Sequence, residues 1–453
     1  MAQRNGQVKL GAFLHPTGHH IAAWRHPDAY AAASVDFSHY VDLARTAERG
    51  RFDMLFLADS PAMRNWPLER SSRVATYVAG FEPITLLSAL AAVTRNIGLA
   101  ATATTTYNEP FHIARKYASL DHISGGRAAW NLVTSVNIAE AKNFGREKHV
   151  EHDARYDRAA EFARVVLGLW DSWDGDAFVR DKAAGRFFDP ARVHALDHKG
   201  EHFSVAGPLN VPRSPQGRPV IVQAGTSEAG QELEAEVADA VFATGQTLES
   251  AQTFYQSLKG RLARFGREPD DLKVMPGLVP FIGDSRQEAD DAFEKLQSLV
   301  HPEVGLQLLG EMLGHVDLTK YPLDGPLPEI KDTIGSHTAL KLFTEMAKRE
   351  NLTIRQLYLR VVLRGHCIVR GTASDIADHI QAWFEGYGAD GFNIMPPYLP
   401  GGLDAFVDKV VPELQRRGIF RKEYEGRTLR DNLGLRYPQS RYRQESSRVA
   451  ARA

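Results

Sequence analysis

A run of small and hydroxyl residues joins an apolar stretch to a helical pattern near the middle of the chain. The stretch "VIVQAG" begins at Val220, and Thr226 and Ser227 separate it from the pattern "EAGQELEAEVA". The first turn of a helix leaves backbone N–H groups unpaired and carries partial positive charge, so small residues there let an anion approach closely. The pattern predicts a phosphate site at this corner. The simpler alternative is that Thr226 or Ser227 only caps the helix.

Polar residues also follow other apolar runs of the first half of the chain. Asp59 ends "FDMLFLAD", Thr104 ends "IGLAATAT" and Ser135 ends "RAAWNLVTS", while Gly225 ends the run described above. If these runs are parallel strands of one barrel, their carboxyl ends share one mouth, where ligands bind. The sequence therefore predicts a hydroxyl-rich pocket with at least one carboxylate, suited to a phosphorylated guest.

A histidine and a tyrosine lie four residues apart in the stretch "KHVEHDARYDRAAEF". His152 and Tyr156 would face the same side of a helix that follows the fourth strand. At the start of that helix they would reach the mouth and donate hydrogen bonds to an anion. The alternative is a surface histidine beside a half-buried tyrosine.

Four histidines follow the first apolar run, at positions His15, His19, His20 and His26. Zinc ligation is the sharper interpretation, but the sequence has no His-Glu-x-x-His motif and "HVEH" has the wrong spacing. No metal is therefore predicted. The other interpretation is that one of these histidines faces the pocket and transfers a proton near neutral pH.

Motifs for nucleophilic hydrolysis and for nucleoside triphosphate chemistry are missing. The sequence has neither a Gly-x-Ser-x-Gly motif nor a Walker A loop. A pocket with a phosphate site and no evident protein nucleophile predicts that a bound cofactor carries out the difficult step.

Eight apolar runs alternate with amphipathic patterns and must position these residues. They cover residues 7–14, 52–59, 97–104, 127–135, 219–225, 240–244, 272–283 and 392–397. Such alternation favours a parallel sheet of βα units, and no Gly-x-Gly-x-x-Gly follows any of the runs. The fold class predicted is therefore α/β, a (β/α)₈ TIM barrel with insertions, rather than a dinucleotide-binding doubly wound sheet.

The chain is longer than a bare barrel, which needs about 250 residues. We expect a single domain over residues 1–453, with insertions at about 174–215 and 300–370 and a C-terminal extension from about 420. Insertions on a barrel often form lids or subunit contacts. The basic residues of the extension are predicted to pack on a neighbouring subunit.

Composition excludes several classes of partner. Of the 453 residues 43% are hydrophobic and 24% charged, and the formal net charge is −2, which gives no electrostatic argument for nucleic acid or an anionic membrane. No apolar stretch approaches the roughly 20 residues of a membrane span, and no secretory signal precedes the first strand. One cysteine, Cys367, allows no internal disulfide, and a cytoplasmic location is expected.

Several longer segments resemble one family, the flavin-dependent monooxygenases of the bacterial luciferase-like superfamily. The similarity is to the branch with nitrilotriacetate, dibenzothiophene-sulfone and pristinamycin-type monooxygenases. It is carried in order by "HPTGHHIAAWRHPDA", "DHISGGRAAWNLVTS", "NFGREKHVEHDARYDRAAEF", "GPLNVPRSPQGRPVIVQAGTSEAG" and "YEGRTLRDNLGL".

The resemblance implies a barrel that binds reduced FMN (FMNH₂) delivered by a separate NAD(P)H:flavin reductase. The cofactor-binding residues it implies, together with the strand-end glycine, are Asp59, Thr104, Ser135, His152, Tyr156, Gly225 and Ser227, with Ser227 on the phosphate. On the substrate side it points to His20 and His315 as catalytic residues.

The resemblance further implies an enzyme in which FMNH₂ and O₂ give a peroxyflavin that oxygenates a small organic substrate, such as a sulfur- or nitrogen-containing or xenobiotic compound. A homodimer or homotetramer is expected. Two alternatives keep the fold: a deazaflavin (F420)-type oxidoreductase that transfers hydride, and a flavin-binding barrel without catalysis.

Overall fold

A closed barrel of parallel strands forms the centre of the protein. The computed structural model describes residues 4–135, 137–148, 152–330, 337–363 and 366–442. Its strands are β1 (Lys9–Leu14), β2 (Met54–Leu57), β3 (Gly98–Thr104), β4 (Ala128–Val133), β5 (His198–Lys199), β6 (Ser204–Val205), β7 (Val220–Ala224), β8 (Ala240–Ala243), β9 (Lys273–Ile282), β10 (Cys367–Gly371) and β11 (Gly391–Ile394). Around the barrel the order is β1-β2-β3-β4-β7-β8-β9-β11, and β11 pairs with β1 to close it. The predicted TIM barrel and its eight strands are confirmed.

Helices connect the strands and cover the outside of the barrel. They are α1 (Phe37–Arg49), α2 (Leu68–Ser71), α3 (Pro83–Ala91), α4 (Pro110–Ser124), α5 (Ile138–Asn143), α6 (His152–Trp170), α7 (Glu228–Val237), α8 (Leu248–Arg261), α9 (Arg286–Ser298), α10 (Pro302–Met312), α11 (His337–Glu350), α12 (Ile354–Val361), α13 (Ala373–Glu385), α14 (Gly401–Ala405), α15 (Val411–Arg416) and α16 (Leu429–Leu433). None of these described helices is both long enough and apolar enough to cross a bilayer.

The barrel strands are buried on both faces, and alternate residues belong to two different cores. In β2, Leu55 and Leu57 pack in the cluster shared with the helices, whereas Met54 and Phe56 pack in the cluster inside the barrel. This is the period-two alternation of a strand with helices on one side and the barrel interior on the other. Polar residues of the interior set at the carboxyl ends of the strands therefore point to the mouth.

Two regions lie outside the βα units. Residues between α6 and β7 hold the small antiparallel hairpin β5–β6, which the sequence did not predict. Helices α9 to α12 follow β9, and β10 then pairs in parallel with the second half of β9. Part of the cluster inside the barrel continues into α10 and α12 through Leu309 and Leu357, so this insertion covers one side of the mouth.

The C-terminal extension packs under its own barrel. Arg421 bonds Asp53, which precedes β2, and Arg430 bonds Asp239, which precedes β8. Leu429 of the extension can approach β3 closely because this strand begins at Gly98. A methyl group on Gly98 would lie only 2.5 Å from a methyl carbon of Leu429, which is too close for both to fit. Buried aspartates of the same chain therefore bind Arg421 and Arg430, and packing of the rest of the extension on a neighbouring subunit stays a prediction.

Candidate functional site

A cavity of about 780 Å³ opens at the carboxyl ends of the barrel strands. It brings together five of the residues predicted from the sequence, which are Asp59, Thr104, Ser135, Tyr156 and His315. They come from four strand ends or following helices and from the insertion after β9, so residues far apart in sequence meet at one rim. A volume of this size is in the range of pockets that bind cofactors, about 300–1,000 Å³.

Hydroxyl and amide groups at the ends of β3 and β4 form two hydrogen-bonded pairs in the cavity wall. Thr104 Oγ1 lies 2.8 Å from Ser135 Oγ, and the Thr102 hydroxyl accepts from Asn131 Nδ2 at 2.7 Å. These residues have interior positions in paired strands, with Thr102 opposite Asn131. Asn131 Oδ1 is buried and has no hydrogen-bond partner in the described structure, so one acceptor remains for a ligand donor.

The predicted phosphate corner is built around the start of α7. Ser227 is the N-cap, and its Oγ accepts from the Gly230 backbone N–H at 3.1 Å. The Tyr156 hydroxyl lies at the same place, because a methyl group on Gly230 would be 3.3 Å from it and 3.0 Å from Ser227 Oγ. Gly225 is also close, since a methyl group there would be 3.7 Å from the Tyr156 hydroxyl. Ser227 thus caps the helix, as in the simpler alternative, and the corner also holds a phenol and two glycines.

Asp59 lies at the edge of the cavity without a cationic partner among the described residues. Burial, with the nearby carboxylates of Glu82 and Glu140 adding to it, raises the pKa of Asp59 to about 6. Asp59 can therefore hold or release a proton near neutral pH. Glu140 of α5 accepts a hydrogen bond from the Ser60 hydroxyl at 2.6 Å.

A buried glutamate lies behind the phosphate corner. Glu234 of α7 is fully buried, and neither carboxyl oxygen has a hydrogen-bond partner in the described structure. Burial raises its pKa to about 9, so the side chain is neutral at pH 7. Its Oε1 is 3.3 Å from the position of a methyl group on Gly225. A neutral acid here adds no negative charge next to the corner.

The structure does not bring His20 into the cavity. Its ring is 1% exposed, Nδ1 accepts from the Ala22 backbone N–H at 3.2 Å, and Nε2 is 3.2 Å from Gln297 Oε1. Burial lowers the pKa of His20 to about 4. Both ring nitrogens bond within the protein, and the ring joins the loop after β1 to α9; this position does not favour the catalytic role, which stays a prediction.

The structure describes the position of His315 but not that of the His152 side chain. His315 is exposed at the cavity rim, with a φ of 66°, a left-handed conformation that a residue other than glycine adopts rarely. His152 begins α6, but its side chain lies outside the part of the chain that the structure describes.

Sequence reasoning missed five charged or aromatic residues of the cavity, two of which are Glu140 of α5 and Glu311 of α10. Arg64, Trp66 and Tyr77 come from the long loop between β2 and α3 and line the same space. Only the length of that loop gives a signal, because no periodic pattern marks its residues. Within the described ranges no group of three or more His, Cys, Asp and Glu residues is arranged to hold a metal ion.

Several known proteins are similar to this chain over nearly its whole length. Residues 17–391 match the sequence model of the luciferase-like monooxygenase family. The chain is 54% identical to N-acetyl-S-(2-succino)cysteine monooxygenase of Bacillus subtilis (strain 168), over 98% of this chain and all of that one. It is 50% identical to nitrilotriacetate monooxygenase component A of Aminobacter aminovorans, over 96% of this chain and 98% of that one.

Solved structures share the fold at two levels of sequence similarity. The crystal structure of DmoA from Hyphomicrobium sulfonivorans superposes with a TM-score of 0.85 at 32% identity, covering 94% of this chain and 92% of that one. An F420-dependent secondary alcohol dehydrogenase has a TM-score of 0.58 at 14% identity, over 90% of this chain and 99% of that one, which shows the barrel fold alone. The deazaflavin alternative therefore has only distant support.

Proposed function

The chain belongs to the luciferase-like monooxygenase family, and we propose that it is the FMNH₂-dependent oxygenase component of a two-component system. One observation carries the proposal: Asp59, Thr104, Ser135 and Tyr156 line a single cavity, and the Tyr156 hydroxyl also lies at the Ser227 corner. This is the arrangement that a flavin with a phosphate tail needs.

The residues at the corner fit a phosphate. The start of α7 presents backbone N–H groups and the positive end of the helix, and the Ser227 and Tyr156 hydroxyls lie beside it. The neutral state of Glu234 removes a repulsion that an ionised carboxylate would exert on a phosphate. We infer that Gly225, Ser227 and Tyr156 hold the phosphate of FMN.

The polar wall fits the edge of the flavin ring. Thr104, Ser135 and Asn131 supply hydroxyl and amide groups that donate to and accept from the ring heteroatoms. Reduced FMN bound here would supply the two electrons that place one atom of O₂ in the substrate and the other in water. Asp59, with its pKa of about 6, would hold the proton that this reaction requires.

The cavity also needs protection from water. The insertion helix α10 places Glu311 against the cavity, where it accepts a hydrogen bond from the Trp66 indole N–H. This contact joins the loop after β2 to the insertion across the opening. It keeps an aromatic ring at the mouth and limits the entry of water during the reaction.

The partners follow from the same proposal. A separate NAD(P)H:flavin reductase would supply FMNH₂, in keeping with the words "component A" in the name of one relative. We propose a small substrate with an oxidisable sulfur or nitrogen, since the two relatives above are named for a sulfur-containing cysteine derivative and for nitrilotriacetate. We also propose that the protein forms a homodimer or homotetramer in the cytoplasm.

The experiment that tests the function is a reductase-coupled assay with NADH, FMN, isotopically labelled O₂ and a panel of thioethers, sulfones and tertiary amines. We expect one labelled oxygen atom in the product and no product without the reductase. Turnover that continues without O₂ would show hydride transfer instead. Tight FMN binding with no product from any panel member would favour a flavin-binding barrel without catalysis.

A further inference from the structure

A second, smaller cavity of about 210 Å³ adjoins the proposed flavin cavity. Arg64 and Tyr77 line both cavities and form the boundary between them. A molecule in the smaller cavity would therefore be next to the larger one. We call the smaller space the inner cavity.

The charged groups of the two cavities differ. The described residues that line the inner cavity include one arginine and three histidines, Arg64, His15, His19 and His366, and no aspartate or glutamate. The larger cavity is lined by three carboxylates, Asp59, Glu140 and Glu311. The inner cavity is therefore the side of the site that favours a negatively charged guest.

The guanidinium of Arg64 is held in a fixed plane. Its Nε donates to the Thr76 backbone carbonyl at 3.3 Å, and its central carbon is 4.9 Å from the Trp66 ring centroid and 5.3 Å from that of Tyr77. Tyr77 has a φ of 59°, a left-handed conformation that is costly for an aromatic residue and often found at functional sites. A guanidinium with a fixed plane is suited to bind a carboxylate through two hydrogen bonds.

Apart from Arg64, Thr76, Tyr77 and the three histidines, the described residues that line the inner cavity are apolar. Phe13 lies edge-on to Phe242 with ring centroids 5.5 Å apart and to Phe56 at 4.7 Å, and Met395 lines the same space. Aromatic rings and a thioether make favourable contacts with short alkyl groups and with sulfur. The cavity thus combines an anion-binding guanidinium with apolar side chains.

We infer that the inner cavity is the substrate subsite and that Arg64 binds a carboxylate of the substrate. The substrate class is then a small organic acid whose oxidisable sulfur or nitrogen lies toward the larger cavity. Oxygenation of the acid rests on the proposed function. Binding of the acid by Arg64 does not depend on it.

The test compares an acid with its uncharged ester. The probes are 2-(methylthio)succinate and its dimethyl ester, each titrated by calorimetry into the full-length protein, with and without saturating oxidised FMN. We expect Arg64→Gln to weaken binding of the acid by about tenfold to a hundredfold, the loss of a hydrogen-bonded charge pair, and to change ester binding by less than about threefold. Arg64→Lys should give an intermediate loss.

A matched control lies on the same loop. Arg73 pairs with Glu69 at 2.7 Å and lines neither cavity, so Arg73→Gln should bind both probes as the wild type does. The inference is overturned if the wild type does not bind the acid, if acid and ester bind equally well, or if Arg64→Gln and Arg64→Lys bind the acid like the wild type. Because binding is measured without turnover, a protein that binds the acid through Arg64 but oxygenates nothing would contradict the proposed function alone.

Discussion

Two buried carboxylates at the amino ends of the barrel strands have different partners from two carboxylates at the mouth. At the amino ends of the strands, Asp239 and Asp390 each accept the backbone N–H of the second residue of a neighbouring strand, and each pairs with cationic side chains. At the mouth, Asp59 and Glu234 have no ion pair among the described residues. The same residue types therefore serve stability at one end and remain available to a ligand at the other.

The pKa values follow this difference. Burial opposes the charged form of Asp239, but the Arg430 guanidinium holds its pKa below the usual value, and Lys259 and Arg4 do the same for Asp390. At the mouth neither carboxylate has an ion pair among the described residues, so burial raises the pKa of Asp59 to about 6 and that of Glu234 to about 9, although the charge of Arg261 acts to lower the latter.

The largest expected effect is on stability, when an ion pair at the amino ends of the barrel strands is removed. Arg430→Ala leaves Asp239 buried and unpaired, and we expect the free energy of unfolding, measured with urea, to fall by about 3–5 kcal/mol. Arg436→Ala is the matched control in the same extension, since its side chain is 65% exposed, and should cost less than about 1 kcal/mol. FMN affinity should stay unchanged in both. Equal losses, or weaker flavin binding by folded Arg430→Ala, would contradict the contrast between the ends.

The next effect separates capping from phosphate binding at the mouth. Ser227→Ala should weaken FMN binding by about 1–3 kcal/mol and lower stability by about 0.5–2 kcal/mol, because it removes both a hydrogen bond to a charged group and the cap. Ser227→Asp keeps the cap but places a negative charge at the corner. Its stability should match the wild type while its FMN affinity falls below that of Ser227→Ala. Wild-type FMN affinity in the Asp variant would leave Ser227 with a capping role alone.

A smaller effect concerns pH. The unfolded chain releases the Glu234 proton near the usual value, whereas the folded protein keeps it up to about pH 9, so this residue lowers stability as the pH rises between those values. Glu234→Gln has no such proton, and its melting temperature should exceed that of the wild type by a margin that grows from about pH 5 to about pH 8. Glu236→Gln, at the surface of the same helix and paired with Arg164, is the control and should show no growing margin. A constant difference across this range would show that Glu234 does not titrate as inferred.

The smallest effect is on the pH dependence of flavin binding. Asp59 becomes negatively charged as the pH rises through about 6, and that charge should weaken binding of the FMN anion by a few-fold. In Asp59→Asn this part of the dependence should disappear. Dividing the wild-type affinities by those of the variant cancels the titration of the FMN phosphate itself. A ratio that is flat with pH would argue against a proton on Asp59 in the cavity.

Much of the fold and part of the site could be predicted from the sequence. The eight strands alternate with helices in a pattern that few folds share, and parallel strands place their carboxyl ends together. Asp59, Thr104, Ser135 and Tyr156 were found this way, and the structure brings them to one cavity. The structure does not place His20 in that cavity. The sequence could not show this, because four histidines in twelve residues give no local sign of which one faces the cavity.

The sequence by itself determined the elements, the family and the kinds of polar group at the strand ends, since these depend on local periodicity and on motifs. Only the tertiary structure decided that the imidazole of His20 bonds Gln297, that Glu234 is a neutral acid behind Gly225, and that Arg64 separates two cavities. The physical reason is that burial and the distance between charges depend on residues far apart in the chain, and these set both the pKa of a group and the ligand it can bind.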